Sequence, residues 1–195
     1  GLVDATKEAV AFESEMLDVT KYVSGLTDAN GKVKTDAYAE MSQDILDLST
    51  QIPYTAKELT RLAAAAGQSG KSMNDLIDEG FLKDVAEMGT AMDISADQAG
   101  DWAAKWEVAF NVNHDQVMEL ADQINYLGAH YATTAAEIAQ TVNDTGSLGM
   151  IAGMDTDQTA ALSTALLAMG VNSNTVATSI RRMYTNLTMG SKATK

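Results

Sequence analysis

A chain of 195 residues that is 46% hydrophobic and 21% charged is long enough to bury a core and too apolar to remain disordered. The absence of cysteine excludes disulfides, thiolate metal sites and cysteine nucleophiles. Acidic residues outnumber basic ones, 27 to 13, and the net charge of −14 disfavours phosphate-rich partners, although simple solubility would ask for the same charge.

A single proline, Pro53, almost no alternation of apolar and polar residues, and apolar spacings of three and four predict an all-α fold. In the first segment Ala5, Ala9, Phe12, Met16, Val19, Val23 and Leu26 alternate steps of four and three, a seam that keeps one narrow stripe against a partner helix. Asp28-Ala29-Asn30-Gly31 supplies turn chemistry. A second seam follows at Tyr38, Met41, Ile45, Leu48 and Ile52. Residues 1–52 are therefore expected to form an antiparallel helical hairpin of coiled-coil type or an extended helical arm. Each seam fits a second subunit equally well, so self-association is also expected.

Residues 53–190 read as a bundle of shorter helices, each opened by a cap. Thr55 with Glu58, Ser72 with Asp75, Ser95 with Gln98 and Thr134 with Glu137 match the capping-box pattern. Asn113, Asp155 and Ser173 read as single caps. Apolar faces are expected at Ala99, Trp102, Ala103, Trp106 and Phe110, and at Val117, Leu120, Ala121, Ile124 and Leu127. The most apolar run, Ala160 to Val171, is too short to span a bilayer and reads as a buried helix lined by Leu162, Leu166 and Met169. Val176, Ile180, Met183, Tyr184 and Leu187 line the last helix, and residues 191–195 form a tail. Beginning at Gly1 without an initiator Met, the chain reads as a piece of a longer gene product. A weak internal repeat relates Asp97-Gln98, Val112-Asn113 and Val117 to Asp157-Gln158, Val171-Asn172 and Val176.

Several motifs offer chemistry, and each has a structural reading beside it. Ala65-Ala66-Gly67-Gln68-Ser69-Gly70-Lys71-Ser72 fits a relaxed phosphate-binding loop, the basis for an alternative reading as a nucleotide-binding enzyme. Such a loop needs a strand before it, whereas Glu58 to Ala66 has helical spacing; Gly67 then reads as a helix C-cap and Ser72 as the next N-cap. Asp28 to Val33 resembles a calcium loop, but its first and twelfth ligand positions would be Leu26 and Ala37, neither with a side-chain oxygen. Glu13-Ser14 and Gly146-Ser147-Leu148-Gly149-Met150 faintly resemble lytic transglycosylase segments, yet lie more than 130 residues apart. His114, expected to be exposed in a first helical turn, and His130 have no companion ligands at metal-binding spacing. Trp102 and Trp106 share an apolar face and read as core; Gly149 and Gly153 read as a loop or a close helix contact. No catalytic, cofactor-binding or metal residue is assigned.

From about Ile45 to Gly190 a series of segments resembles the conserved core region of phage tail tape measure proteins. They are Ile52-Pro53-Tyr54-Thr55, Glu58-Leu59, Leu62-Ala63-Ala64-Ala65-Ala66-Gly67-Gln68-Ser69-Gly70, Met88-Gly89, Ala91-Met92-Asp93-Ile94-Ser95-Ala96-Asp97-Gln98-Ala99-Gly100-Asp101, Ile124-Asn125-Tyr126-Leu127-Gly128, Thr134-Ala135-Ala136-Glu137-Ile138, Ala152-Gly153-Met154 and Gln158-Thr159-Ala160-Ala161-Leu162. Leu166 to Val171 and Val176-Ala177-Thr178 complete the match; Gly128-Ala129-His130 departs from it where the family carries Asn residues. The resemblance implies a largely helical structural protein inside the tail tube, in the host cytoplasm during assembly and then in the virion. Its length would fix tail length, and it would leave ahead of the DNA at infection. The partners implied are the tail tube protein, baseplate or tail tip proteins and tail assembly chaperones, with no cofactor and no catalytic residue carried over. On this reading the acidic surface limits sticking to DNA that later passes the same tube. A generic helical protein-interaction module is the remaining alternative.

Overall fold

The spacing of three and four is realised as helix throughout a computed structural model that describes residues 2–190, with side chains at Lys7 and from Ala9 onward. The helices are α1 Leu2–Tyr22, α2 Thr35–Ser49, α3 Ala56–Gln68, α4 Met73–Leu76, α5 Phe81–Met92, α6 Ala96–Phe110, α7 His114–His130, α8 Ala135–Ile151, α9 Thr156–Leu167 and α10 Ser173–Met189. Among the described residues there is no strand, only isolated bridges pairing Ser24 with Ser72 and Thr27 with Val33. The fold is all-α. The chain forms two compact units, residues 1–104 and 105–195, and their boundary falls inside α6. The expected tail at 191–195 lies outside the described residues.

In the first unit both seams are buried: Met16, Val19, Val23 and Leu26 in one, Met41, Ile45, Leu48 and Ile52 in the other. Their main partner is α3 rather than each other, so the packing does not confirm a simple hairpin. The intervening loop is a small closed structure of its own. Lys34 N–H donates to Leu26 O (2.9 Å), Asp28 N–H to Lys32 O (2.8 Å), and the Asp28 carboxylate accepts from Asn30 and Lys32 N–H (2.9 Å each). Direct contact between the two helices includes Tyr38 Oη donating to Glu13 Oε2 (2.9 Å). The first seam fades toward its start: Phe12 is half-buried, Ala9 exposed, and the side chain of Ala5 lies outside the described residues.

What draws α1 onto α3 is the small-residue face of α3, where Leu59, Leu62, Ala63, Ala66 and Gly67 are buried. Gly67 is not the C-cap that its sequence position suggests. The helix runs on to Gln68, Ser69 caps it, and Gly70 takes the left-handed turn (φ +105°). A Cβ on Gly67 would lie 2.7 Å from Val23 Cγ2 and 3.0 Å from the Tyr22 carbonyl, so the glycine lets the end of α1 pass at backbone distance. Gly100 on α6 meets the Leu62 carbonyl of α3 in the same manner.

In the second unit α8 is the common neighbour of α7, α9 and α10. Gly146 admits the Phe110 ring, 2.5 Å from where a Cβ would stand. Arg181 of α10 binds α8 by donating from Nε to Asp144 O (3.0 Å) and pairing with its carboxylate (3.7 Å). The buried face of α9 is Thr159, Ala160, Ser163, Thr164 and Leu167, not the predicted Leu162, Leu166 and Met169, the last of which is 75% exposed. Short side chains permit closer helix approach, and their hydroxyls carry no desolvation penalty because each donates one turn back. Thr159 reaches Asp155 O (2.8 Å), Ser163 Thr159 O (2.7 Å) and Thr164 Ala160 O (2.8 Å). Thr141 and Thr145 of α8 do likewise. On α10, Val176, Ala177, Ile180 and Tyr184 are buried, whereas Met183 and Leu187 of the expected face are exposed.

The caps are the most literal translation of sequence into structure. Thr55, Ser72 and Thr134 form reciprocal capping boxes with Glu58, Asp75 and Glu137. Asn113 and Asp155, expected as single caps, form complete boxes with Gln116 and Gln158. The last cap is Asn172 rather than Ser173: the Asn172 backbone is extended and its side chain accepts from Thr175 N–H (3.0 Å).

The internal repeat has a geometric basis in its turns. At one junction Ile94 N–H donates to Gly89 O (3.0 Å), Asp93 is left-handed (φ 56°), and Gln98 closes back on the Ser95 N–H. At the other, Met154 N–H donates to Gly149 O (2.9 Å), Gly153 is left-handed (φ 82°), and Gln158 closes back on the Asp155 N–H. Gly89 faces Ala99 as Gly149 faces Thr159. The following turns also correspond, with left-handed Asn111 and Gly170 each preceding an Asn cap, Asn113 and Asn172.

Two measurements test this architecture. In an open helix Gly100→Ala would gain about 1 kcal/mol from propensity, but here the new methyl meets a backbone carbonyl that cannot rotate away. The variant should instead lose about 1–3 kcal/mol in urea denaturation. The second concerns pH. Hydrogen bonds from the Thr55 N–H and hydroxyl hold Glu58 below its ordinary value. For Asp75, burial pushes upward, but two hydrogen bonds from Ser72 and nearby Lys71 outweigh it and leave it lowered. Depressed carboxylates stabilise above their unfolded values and lose that contribution as pH falls through the folded ones. The melting temperature should therefore drop from about pH 5 to about pH 2, and the Glu58→Gln, Asp75→Asn double variant should show a shallower drop.

Candidate functional site

The strongest sequence motif, Gly70-Lys71-Ser72, is built as a helix-to-helix turn. Its N–H groups are spent internally: Gly70 donates to Gly67 O (3.0 Å), Lys71 to Ala66 O (3.0 Å), Ser72 to Asp75 Oδ2 (2.6 Å) and Met73 to Ser24 O (2.8 Å). The Ser72 hydroxyl donates to the same Asp75 oxygen (2.8 Å), so it faces a carboxylate where a phosphate loop would offer it to a metal. The Lys71 ammonium lies 4.6 Å from the centre of the Phe81 ring, a cation–π contact. No nest of free N–H groups remains to cradle an anion, and the preceding element is α3, not a strand. The nucleotide reading is not supported.

The other motifs resolve in the same way. The Asp28 carboxylate of the calcium-like loop is occupied by two backbone N–H groups, with Gly31 left-handed (φ +78°). Glu13 accepts from Tyr38, whose phenol burial and the Glu13 hydrogen bond push up to about 12. Gly146 and Gly149, the glycines of the transglycosylase-like segment, are packing positions inside α8 against Phe110 and against Thr159. Gly149 is thus a close helix contact and Gly153 a turn, which divides the two readings of that pair between its members. Trp102 and Trp106 are buried in the core.

The histidines differ from one another. His114, expected to be exposed, is half-buried with Nδ1 3.8 Å from Glu107 Oε1. Its first-turn position brings it back over the end of α6, which spacing within one helix does not reveal. His130 is exposed and stacked on Tyr126 (centroids 3.9 Å apart), and its Nδ1 lies 2.7 Å from Tyr126 O. Among the described residues no group of three or more His, Asp or Glu side chains is placed to hold a metal ion. None of the described helices is long and apolar enough to cross a membrane.

Two of the open depressions among the described residues bear on function. One, in the first unit, is lined by carboxylates and Arg61, and Arg61 is already bound to Glu15 (3.2 Å). The other, in the second unit, is an apolar groove between α7 and α9 lined by Asp122, Gln123, Tyr126, Leu127, Asp157 and Ala161. Periodicity did not signal this groove, because the face that α9 buries is not its most apolar one.

Residues 42–195 match the family described as phage-related minor tail protein. The chain belongs to that family. It is also similar to a probable tape measure protein of Halomonas phage phiHAP-1, 31% identical over 193 residues, which cover 95% of this chain and 22% of that protein. The chain thus spans about a fifth of the length of that relative, and the tape measure resemblance read from the segments above is borne out. No solved structure matches. As a minor tail protein, the chain is a structural component of a phage tail.

For the Gly70-Lys71-Ser72 turn the expected outcome is specific. Magnesium nucleotides should not shift the melting temperature. Lys71→Ala should lower stability by about 0.5–1 kcal/mol through the lost cation–π contact, with or without nucleotide present.

Proposed function

We propose that this chain is part of the protein that sets tail length from inside the tail tube and leaves it ahead of the DNA. The observation that supports this best is the alignment to a probable tape measure protein over nearly the whole chain. The physical character of the chain agrees with such a role. Polar groups that suggested chemistry are consumed by caps and turns, and α3, α4, α7, α8 and α9 are each opened by a capping box in their own local sequence. Tube subunits would polymerise around the full-length protein, so the partners proposed are the tail tube protein, baseplate or tail tip proteins, assembly chaperones and further copies of itself. It would reside in the host cytoplasm during assembly and in the tube lumen afterwards. The chain acts without a catalytic or cofactor site, and its negative charge discourages adhesion to DNA using the same passage.

The test is a ruler experiment in the phage that carries the gene. In-frame insertions or deletions of capped helical segments in the full-length protein should lengthen or shorten tails, by about 1.5 Å per residue where the added chain is helical. Tail lengths measured by electron microscopy that stay constant across such a series would refute the length-setting role.

A further inference from the structure

The apolar groove of the second unit, an open depression of about 440 Å³ between α7 and α9, has chemistry that the packing of the chain itself does not explain. It arises because α9 turns its hydroxyl-bearing face inward, which leaves Ala161 and Ala165 exposed on a helix whose one charged residue is Asp157. A solvent face of a surface helix is ordinarily charged. Across from it Tyr126 is 61% exposed, although a buried position or a charged replacement would suit a bare surface better. Its ring is also held in place, stacked on His130 while the His130 imidazole is bound to the Tyr126 carbonyl. An aromatic ring fixed in advance loses little entropy on being covered, which is the property of an anchor residue at an interface.

The rim decides what would cover it. Asp122 and Asp157 are exposed on opposite walls, α7 adds Asp115 and Glu119, and neither helix carries a Lys or Arg. Among the described residues neither Asp122 nor Asp157 has a cationic partner. A second copy of this chain, at net charge −14, would bring acidic residues on every helix but α10, where Arg181 is already held by Asp144, and a nucleic acid would bring still more negative charge.

We infer that the α7–α9 groove docks an amphipathic helix of another protein, its apolar stripe resting on Tyr126, Leu127 and Ala161 and its flanking Lys or Arg residues pairing with Asp122 and Asp157. This assignment rests on the groove alone and does not depend on the length-setting role proposed above.

Two synthetic helical peptides with one shared apolar stripe, flanked by lysines in one and by glutamates in the other, test it by fluorescence anisotropy against the 195-residue chain. The lysine peptide should bind saturably at one site and the glutamate peptide should not. Tyr126→Ala and Asp122→Lys should each weaken binding about tenfold or more. Glu40→Lys, the same change of charge on exposed α2, should change it by less than about twofold. Both groove side chains are exposed, so circular-dichroism melts of these variants should match the parent and any loss of binding reads as loss of the site. Equal weakening by Glu40→Lys, indifference to Tyr126→Ala, binding of both peptides or of neither, or a dimer of the chain that Tyr126→Ala dissolves would each overturn the assignment.

Discussion

Where α3 meets α1 and α6, the helices approach until backbone faces backbone, and no Cβ fits between Gly67 and the end of α1 or between Gly100 and the Leu62 carbonyl. The rest of the fold is arranged around such approaches. Only three Phe and two Trp occur in the chain, so large rings are few, and alanines such as Ala63, Ala66, Ala99 and Ala103 share the core with them. Close approach compensates, because dispersion falls steeply with distance and many weak contacts at short range add up. The same economy appears in the second unit, where alanine and back-bonded Thr and Ser form the buried face of α9.

Close packing of this kind also bears on the motifs that suggested chemistry. A reactive site needs polar groups with unspent hydrogen-bonding capacity converging on enclosed space. In this chain the motif residues have already spent theirs: Ser72 and Asp75 on one another, Asp28 on its own turn, Glu13 on Tyr38.

The features legible in the sequence were those set within one helical turn. Capping boxes depend on residues three apart, and those at Thr55, Ser72 and Thr134 were readable because nothing distant alters them. The seams gave the right inward-facing residues but not their partner, since spacing reports which stripe is buried and is silent about what covers it. The inward face of α9 escapes apolar spacing for a different reason. Counting apolar side chains ranks Leu162 and Met169 above Thr159 and Ser163, but a hydroxyl that bonds its own preceding turn behaves as a small, satisfied group. Glycine after a run of alanines, as at Gly67, marks a helix end as readily as a close crossing, and only the neighbour, α1, distinguishes the two. The apolar groove is hidden for the same reason, because turning the apolar side chains of α9 inward leaves no exposed apolar strip on it.

The recurrence of one junction in both units suggests how such a chain tolerates change. The left-handed position is filled by Asp93 in one case and Gly153 in the other, and the cap by Ser95 and Asp155, with Gln98 and Gln158 constant. What is preserved is a backbone path, a left-handed step followed by an extended cap, and several residue types satisfy it at small cost. The helix ends at these two junctions are therefore decided locally, with contacts that are short in sequence. Adding or removing one capped segment leaves the boundaries of the others intact, as in repeat proteins whose stability sums over neighbours. For a protein proposed to act as a ruler this is the relevant property: its length can change without its remaining helices having to be respecified.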